Sequence, residues 1–520
     1  EVKRMKKKGA VGTYLILVMA VLFSKILGLL RNMLLARYYG TSAMADAFSA
    51  ASSLPLTIYD ITLGTAIASA FVPVFNEKLT RDGRKEAERF GSNFLNIAVL
   101  ISLVLAVLGI LFPHAALSIV ASGLSGEALS IATVLVRIIL PVMCVATGVY
   151  IFIGILQSYN SFIGPALVSL VSNLAMILYF LVFNRYFGIY GLGAAFTIGW
   201  VLQLLFLLPF LKKQHFTYSP ALNIRSPDIR RVLVLTLPLF VAALAQPINQ
   251  LISTNISSNL GEGLLASVNY AYQAYFIVSG IFSYCLTNLF FPELSRCFSR
   301  GDHAAAEGIC RGMLGSISAI VLPIMAFLGG NSRPVVRLLY EGKSFTPEDT
   351  LRVGSLLAIY TGAMLFYSYQ EILNKYFYSM QRVRMPVVTA FVGIGVNLAV
   401  SLIAVRSLGV YGLAAGTLCA ALVMAVMLLL FTRRVSPGVL NRALFIGIGK
   451  DLIAAAGLFV AAREIRILIE RLTGGILGTG LGLLGGFLAG LLVYLLILWL
   501  LGSSELKTLL KMAKSKKNEA

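Results

Sequence analysis

Two basic side chains and two acidic ones interrupt the first long apolar stretches of this sequence. Lys25 and Arg31 lie within one apolar run, and Asp46 and Asp60 lie within the next. Ionisable side chains inside apolar segments of membrane length are costly, so by default they mark a functional site or a buried ion pair. The planar guanidinium of Arg binds phosphate oxygens through two parallel hydrogen bonds. These positions therefore predict a cationic surface that receives an anionic headgroup.

Polar neighbours accompany the two bases, because Ser24 adjoins Lys25 and Asn32 adjoins Arg31. Six residues separate the bases, so their side chains diverge and only part of the helix presents both. We expect all four residues to bind substrate. The alternative interpretation pairs Arg31 with Asp46 and lets Lys25 reach the membrane surface.

The acidic residues lead to separate predictions. Asp46 could cap the start of its helix, whereas Asp60 lies deeper and is the better candidate for coupling to Na⁺ or H⁺. Glu371 and Lys375 have the i,i+4 spacing of a helical ion pair. We expect these four residues to be coupling groups or members of structural ion pairs. The surrounding aromatic side chains are interpreted mainly as an interfacial belt; they are Tyr367, Tyr369, Tyr376, Phe377 and Tyr378.

The elements that carry these residues are membrane helices. The chain has 520 residues, 58% of them hydrophobic and 12% charged, whereas soluble domains are about half apolar and a quarter charged. Apolar segments of about 20 residues, the length that crosses a bilayer, follow one another with no soluble module between them. We predict an all-α polytopic membrane protein with about fourteen transmembrane helices. They lie near residues 11–37, 44–73, 91–112, 130–157, 162–183, 188–211, 230–258, 263–292, 312–330, 352–379, 386–406, 410–432, 447–469 and 475–501.

Loop charge predicts the orientation, because Lys- and Arg-rich loops stay in the cytoplasm. The net charge is +21; one set of loops, with both termini, holds about 29 Lys and Arg, and the opposite set about 10. We predict a multi-pass protein of the cytoplasmic membrane with both termini in the cytoplasm. Anionic membrane lipids explain the basic balance, and no nucleic-acid motif is found. In this orientation Arg463, Arg466 and Arg471 face outward.

The sequence also repeats itself with an offset of 221 residues. Residues 188–194 read GIYGLGA, residues 409–415 read GVYGLAA, and Gly40 matches Gly261. Several matches at one offset indicate duplication. Two copies of six helices each are expected to be parallel, because an even number of helices returns the chain to the same side. The predicted domains are a lobe at 1–215, a second lobe at 216–435, and two extra helices with a basic tail at 436–520.

The seventh predicted helix carries the most polar run, QPINQ at Gln246–Gln250. Proline in a membrane helix frees backbone groups that a cavity or a neighbouring helix must satisfy. We expect a hinge here, with Gln246 and Asn249 lining a substrate cavity that opens alternately to either side. Five scattered cysteines without a CxxC pair indicate no metal site. No catalytic residue and no cofactor beyond a coupling ion is expected.

A series of motifs occurs in order between about residue 10 and residue 435. They read FSKILGLLRNMLLARYYG at 23–40, ADAF at 45–48, AFVPVF at 70–75, LVRIILP at 135–141, PALVSLVSN at 165–173, ASVNYA at 266–271, YEGKSFTPED at 340–349 and FYSMQRVRMP at 377–386. This order resembles the MurJ/MviN family of lipid II flippases in the MOP exporter superfamily. The resemblance implies fourteen helices, two lobes and a central cationic cavity. It also implies a flippase for a polyprenyl-pyrophosphate-linked cell-wall precursor in the bacterial cytoplasmic membrane, with cell-wall synthesis proteins as partners.

The resemblance also assigns roles by position. Arg31 matches the arginine of the family's first helix, Asp46 matches the aspartate of its second helix, and Asn32 stands where the family usually has an acid. The family has paired arginines on helix 2, where this chain reads TIYDITLGTA at 57–66. It has an arginine after YAD on helix 8, where this chain reads YAYQ and Gln273 becomes the expected substrate contact.

Other functions stay open at this point. A divergent relative would move another lipid-linked saccharide. A MATE-like, cation-coupled exporter of small organic molecules would need a net acidic cavity, which the bases of the first helix disfavour. A membrane glycosyltransferase or ligase would need a large outer loop, but the longest, at about 329–351, is too short for a catalytic module. A scaffold without transport activity would explain the missing arginines.

Overall fold

A computed structural model describes residue 19 and residues 23–64, 67–234 and 244–502, without the side chains at 68–69, 245–246, 277–290 and 292. Every regular element within these ranges is helical. The chain forms two compact units, residues 1–266 and 267–520. The boundary between the lobes expected at 1–215 and 216–435 differs from the boundary between these units. The predicted lobes therefore stay a prediction.

The first unit contains eleven described helices and the start of a twelfth. Their bounds are α1 at 23–39, α2 at Ala43–Tyr59, α3 at Val72–Arg81, α4 at Arg84–Leu111, α5 at Pro113–Ala121, α6 at Gly126–Ile139, α7 at Val142–Ser158, α8 at Ile163–Leu178, α9 at Asn184–Lys213, α10 at 227–234, α11 at Ala245–Ser258 and α12 at Leu264–Ser299. The second unit takes up the rest of α12 and the remaining helices. These are α13 at His303–Tyr340, α14 at Pro347–Gly362, α15 at Met364–Ser379, α16 at Arg384–Leu408, α17 at Tyr411–Val435, α18 at Arg442–Thr473 and α19 at Gly475–Leu500.

Many of these helices are membrane spans by length and composition. Within the described ranges, eight helical stretches are long and apolar enough to cross a bilayer, or nine if the bent pair α5–α6 counts as one span. The pair bends by 115°. The all-α polytopic architecture is therefore confirmed, and the count of fourteen spans stays a prediction.

The second predicted helix is not continuous. It was expected at 44–73, but α2 ends at Tyr59 and wider π-helical turns follow at Asp60–Gly64 and Ile67–Phe71 before α3 begins. Hydropathy does not register such turns, because they change the hydrogen-bond register and not the composition. Single π-turns often occur at functional sites.

Proline divides another predicted helix, the one expected at 130–157. Helix α6 ends at Ile139 and α7 begins at Val142, with Pro141 between them. Proline has no N–H to donate and its ring clashes with the preceding helical turn. Hydrogen bonds between residues three apart replace the usual α-helical bonds between residues four apart. Met143 N donates to Leu140 O (3.0 Å), and Cys144 N donates to Pro141 O (3.2 Å).

The two glycines that open the repeated motifs share one backbone conformation. Gly188 has φ 53° and ψ −146° inside α9, and Gly409 has φ 56° and ψ −135° after α16. Residues with a side chain rarely adopt this region. Each glycine marks a break between helical segments, at 188 within α9 and at 409 between α16 and α17. The matched geometry supports the duplication inferred from the sequence.

Of the three arginines expected to face outward, Arg466 is half-buried and bound by neighbouring side chains, whereas the sidedness of all three stays a prediction. The Arg466 guanidinium donates from Nε to Asn331 Oδ1 (2.7 Å) and forms an ion pair with Glu470. Asn331 has non-helical dihedral angles (φ −128°, ψ 18°) and marks a kink in α13. Arg466 therefore braces this kink within the second unit.

Candidate functional site

Arg31 lies in the middle of α1 and is half-buried. Its Nε and Nη2 donate to the Oδ1 of Asn32, at 3.3 and 3.1 Å. Among the described residues, no carboxylate lies within 4.0 Å of its guanidinium. The alternative ion pair with Asp46 is therefore not formed in this structure. A neutral amide orients Arg31 while its positive charge is left uncompensated by an adjacent acid.

The other two expected ligands of α1 lie nearly two turns earlier. The Ser24 hydroxyl is 2.5 Å from the Ser169 hydroxyl, and Asn173 Nδ2 donates to Ser24 O (3.2 Å). Ser24 is buried, so its observed role is to pack α1 against α8. Lys25 is half-buried on the neighbouring face. Together these contacts fix the helix that carries Arg31.

Helix α1 is also held at its far end. Tyr39 donates its hydroxyl to Asn184 Oδ1 (2.6 Å), at the start of α9. Tyr38 stacks on Phe180 with ring centroids 5.7 Å apart. The base Arg31 thus lies between two anchored ends of α1, which restricts where its guanidinium can move.

Asp46 caps a distant helix rather than its own. Its buried carboxylate accepts the backbone N–H of Gly263 (2.5 Å) and of Ala266 (2.7 Å), at the start of α12. Glu262 Oε1 in return accepts the N–H of Ala43, the first residue of α2 (3.0 Å). Carboxylates stabilise helix N-termini through the unpaired N–H groups and the positive end of the helix dipole. The expectation that Asp46 could cap its own helix is therefore wrong. Glu262, beside a helix start, was not singled out from the sequence.

Asp60 opens the first π-helical turn and is exposed in the structure. The rings of Tyr59 and Tyr150 stack beside it, 4.9 Å apart. Single π-turns are frequent at functional sites, which keeps Asp60 a candidate ion ligand. Its coupling role stays a prediction.

The seventh helix contributes α11, which packs against α5. Asn255 accepts the Ser122 hydroxyl (3.0 Å), and Ser258 Oγ accepts the Gly123 N–H (3.1 Å). Asn249 lies half-buried on this helix. The side chain of Gln246 falls outside the described part of the chain, so the expected hinge stays a prediction.

Two tyrosines close to Gln273 in the sequence of α12 pack against α14 and α15 in the second unit. The ring of Tyr272 meets that of Tyr360 edge-on (5.8 Å), and Tyr275 lies 5.9 Å from Tyr360 and 6.4 Å from Tyr367. Gln273 is half-buried beside them on α12. At the position where the resembled family carries an arginine, this chain therefore has a neutral amide whose sequence neighbours belong to a tyrosine cluster.

Glu371 and Lys375 do not meet as the spacing suggests. Within the described residues they are not among the ion pairs shorter than 4.0 Å; Lys375 Nζ instead lies 5.4 Å from the Phe291 ring centroid, and Glu371 is exposed. The aromatic stretch around them is mostly internal rather than an interfacial belt. Tyr376 and Phe377 are fully buried, and Tyr369 shares a 2.5 Å hydrogen bond with Ser318. These aromatic side chains are buried because neighbouring helices pack against them, and composition alone does not predict which side chains a neighbouring helix covers.

A polar face of α4 holds the segment after α9 in an extended course. The side-chain amide of Asn93 donates to the backbone oxygen of Asn223 (3.0 Å) and accepts the backbone N–H of Asn223 (2.6 Å). Ser92 Oγ accepts the Ser219 N–H (3.0 Å). Asn96 donates to Ala221 O (2.7 Å). We call residues 214–226 the strap. It was not predicted from the sequence, although its signal was the spacing of Glu88, Ser92, Asn93 and Asn96 on one helical face.

The base of the strap contains a titratable cluster that joins the first turns of α4 to Tyr159, which follows the end of α7. Glu88 Oε1 accepts from Arg84 Nε (2.8 Å) and from the Tyr159 hydroxyl (3.0 Å), while Glu88 Oε2 accepts the Thr217 N–H (3.2 Å). Burial, and then the bond to Glu88, raise the pKa of Tyr159. The phenol stays protonated and remains a donor to Glu88 at neutral pH.

Comparison with known proteins agrees with this architecture. The chain matches the family described as lipid II flippase MurJ over residues 35–498. Probable lipid II flippases MurJ from Rickettsia prowazekii and Bdellovibrio bacteriovorus are each 25% identical to it, over 411 and 500 residues. These alignments cover 78% and 93% of this chain, and 80% and 93% of the relatives.

Solved structures show the same fold. A lipid II flippase MurJ in an inward closed conformation aligns with a TM-score of 0.80 at 24% identity, covering 94% of this chain and 99% of that one. An inward-facing multidrug resistance MATE transporter of the MOP superfamily aligns with a TM-score of 0.68 at 16% identity, covering 81% and 98%. Because the family match extends over most of its length, this multi-pass membrane protein belongs to the lipid II flippase MurJ family.

Proposed function

We propose that this protein flips lipid II, a polyprenyl-pyrophosphate-linked cell-wall precursor, across the cytoplasmic membrane by alternating access. The observation that carries the proposal is the family match over residues 35–498. Flipping forms and breaks no covalent bond, so the protein acts as a transporter and not as an enzyme.

Arg31 is the residue we assign to the pyrophosphate. A guanidinium binds phosphate oxygens bidentately, and Asn32 holds Arg31 at 3.1 and 3.3 Å without neutralising it. Lys25, on the same helix, supplies a second positive charge. We expect Ser24 to act indirectly, by fixing α1 against α8.

The neutral side chain of Gln273 and the acidic turn at Asp60 bear on headgroup choice. Fewer positive charges leave more of the headgroup recognition to hydrogen bonds and to tyrosine rings, which stack on sugars. We propose that these positions select the saccharide portion of lipid II. Another lipid-linked saccharide is the alternative substrate, which a complementation experiment distinguishes.

Complementation tests the function. The full chain is expressed in a bacterium whose own lipid II flippase is switched off, beside Arg31→Ala, Arg31→Lys and the control Arg37→Ala, an exposed arginine on the same helix. Rescue by the wild type and by Arg37→Ala, but not by Arg31→Ala, is expected. Failure of the wild type with the protein present in the membrane would assign a different lipid-linked substrate.

We further propose that both termini face the cytoplasm, which C-terminal reporter fusions active on only one side of the membrane test. A Na⁺ gradient, a H⁺ gradient or the membrane potential drives the cycle; imposing each separately on proteoliposomes identifies which one. Cell-wall synthesis proteins are the proposed partners, and crosslinking in growing cells tests that association.

A further inference from the structure

A cavity opens where α17 ends and α18 begins. Its volume is about 520 Å³, within the usual size of ligand pockets. It is lined by Arg433, Leu440, Arg442, Phe445 and Ile446. Two cationic side chains thus share one cavity with three apolar ones, and the occupant that complements such a lining is amphipathic and anionic.

The turn that spaces the two arginines is rigidly held. Ser436 is buried and accepts the hydroxyl of Tyr376 (2.9 Å), and Arg311 donates to Gly438 O (2.9 Å). Asn441 caps α18 by accepting the Leu444 N–H (3.0 Å). The first two contacts come from α13 and α15, so the cavity is built by the packed unit and not by a free loop.

The apolar side of the cavity continues along an exposed apolar face of α18, a helix long and apolar enough to cross a membrane. Phe445 is 59% exposed and Ile446 48%, and Leu452 and Ile453 extend the same exposed face toward the membrane interior. An acyl chain lying on this face would start beside the two arginines. A soluble anion would leave this apolar face uncovered, whereas a lipid has a charged headgroup for the arginines and an acyl chain for the apolar face.

We propose that this cavity binds an anionic glycerophospholipid, whose phosphodiester bridges Arg433 and Arg442 while an acyl chain lies on Phe445 and Ile446. Basic pockets between membrane helices recognise anionic headgroups in this way. In the described part of the chain, no acid forms an ion pair with either arginine. Their charge is therefore left for the lipid. None of the lining residues is among those assigned to the substrate on α1.

Photolabelling of the full chain in phosphatidylcholine nanodiscs tests the proposal. Photoactivatable phosphatidylglycerol is titrated in, and labelled peptides are identified by mass spectrometry. Labelling is expected within residues 433–446. Replacing both arginines (Arg433→Gln with Arg442→Gln) should raise the half-saturating lipid fraction about tenfold, because two charge-assisted phosphate contacts are lost. Arg434→Gln, an adjacent exposed arginine outside the lining, should label like the wild type.

Further variants, a control lipid and competing ligands make the outcome of the labelling experiment decisive. Replacing both arginines by lysine (Arg433→Lys with Arg442→Lys) should give an intermediate extent of labelling, and the thermal unfolding of each variant checks that it folds. The proposal is overturned if the double Gln variant labels like the wild type, or if photoactivatable phosphatidylcholine labels equally well. It is equally overturned if millimolar inorganic phosphate displaces the label, which would indicate a soluble-anion site. Displacement by a polyprenyl diphosphate but not by unlabelled phosphatidylglycerol would assign the cavity to the transported substrate instead.

Discussion

The carboxylate of Asp46 accepts the backbone N–H of Gly263 at 2.5 Å, although 217 residues separate the two in sequence. The helices involved, α2 and α12, begin at Ala43 and Leu264, which are 221 residues apart, the offset of the internal repeat. Glu262 caps α2 while Asp46 caps α12. Two equivalent helices of the duplicated sequence therefore stabilise each other's N-termini.

Asp46→Asn should destabilise the protein by about 1 kcal/mol, because the amide keeps one acceptor but loses the charge that favours a helix N-terminus. Thermal unfolding in detergent measures the change. Asp60→Asn is the matched control, since Asp60 is exposed and caps no helix in the described structure. Equal melting temperatures for wild type and Asp46→Asn would contradict the capping role.

Truncating one side chain of α4, that of Asn93, should free the strap from two of the hydrogen bonds that hold it. Asn93→Ala leaves the N–H and the C=O of Asn223 without their side-chain partners, which costs about 1 kcal/mol because Asn223 is exposed and water replaces them. Hydrogen exchange at residues 217–224 should accelerate. Glu86→Ala, an exposed position on the same helix, should leave the exchange unchanged; acceleration in both variants would point to a general loosening of α4.

The matched glycines should be equally intolerant of a side chain. Gly188→Ala and Gly409→Ala should each cost about 1–3 kcal/mol in unfolding free energy, because the backbone region they occupy is nearly restricted to glycine. A Cβ added at either glycine would meet no atom of a residue beyond its chain neighbours within 4 Å, so the cost comes from the backbone alone. Gly395→Ala, in the interior of α16 with equally open space, should be neutral or slightly stabilising. If alanine were tolerated at only one of the pair, the shared conformation would not be a constraint of the repeat.

Hydropathy predicted the long spans well because a bilayer sets their length and composition. The helices expected at 386–406, 410–432 and 475–501 occur at Arg384–Leu408, Tyr411–Val435 and Gly475–Leu500. The π-turns after Tyr59 could not be read in this way, since a change of hydrogen-bond register leaves hydropathy unchanged.

The site was predicted less completely than the fold. Arg31 stood out because a base in an apolar segment is rare. The partners of Asp46 did not, because they are backbone N–H groups, which every residue but proline has and which sequence therefore does not mark. Glu371 and Lys375 show the opposite case, in which a familiar spacing did not produce a contact once Phe291 lay closer to the lysine.

Lipid II translocation in proteoliposomes tests the central claim most directly. Fluorescent lipid II is placed in liposomes that contain the purified chain, and its arrival in the opposite leaflet is followed for the wild type, Arg31→Ala and Arg37→Ala. We expect wild type and Arg37→Ala to translocate it and Arg31→Ala to lose at least about tenfold in rate, as for removal of one bidentate phosphate contact. Undiminished translocation by Arg31→Ala, with the variant folded and inserted, would contradict the proposed role of Arg31 in binding the pyrophosphate.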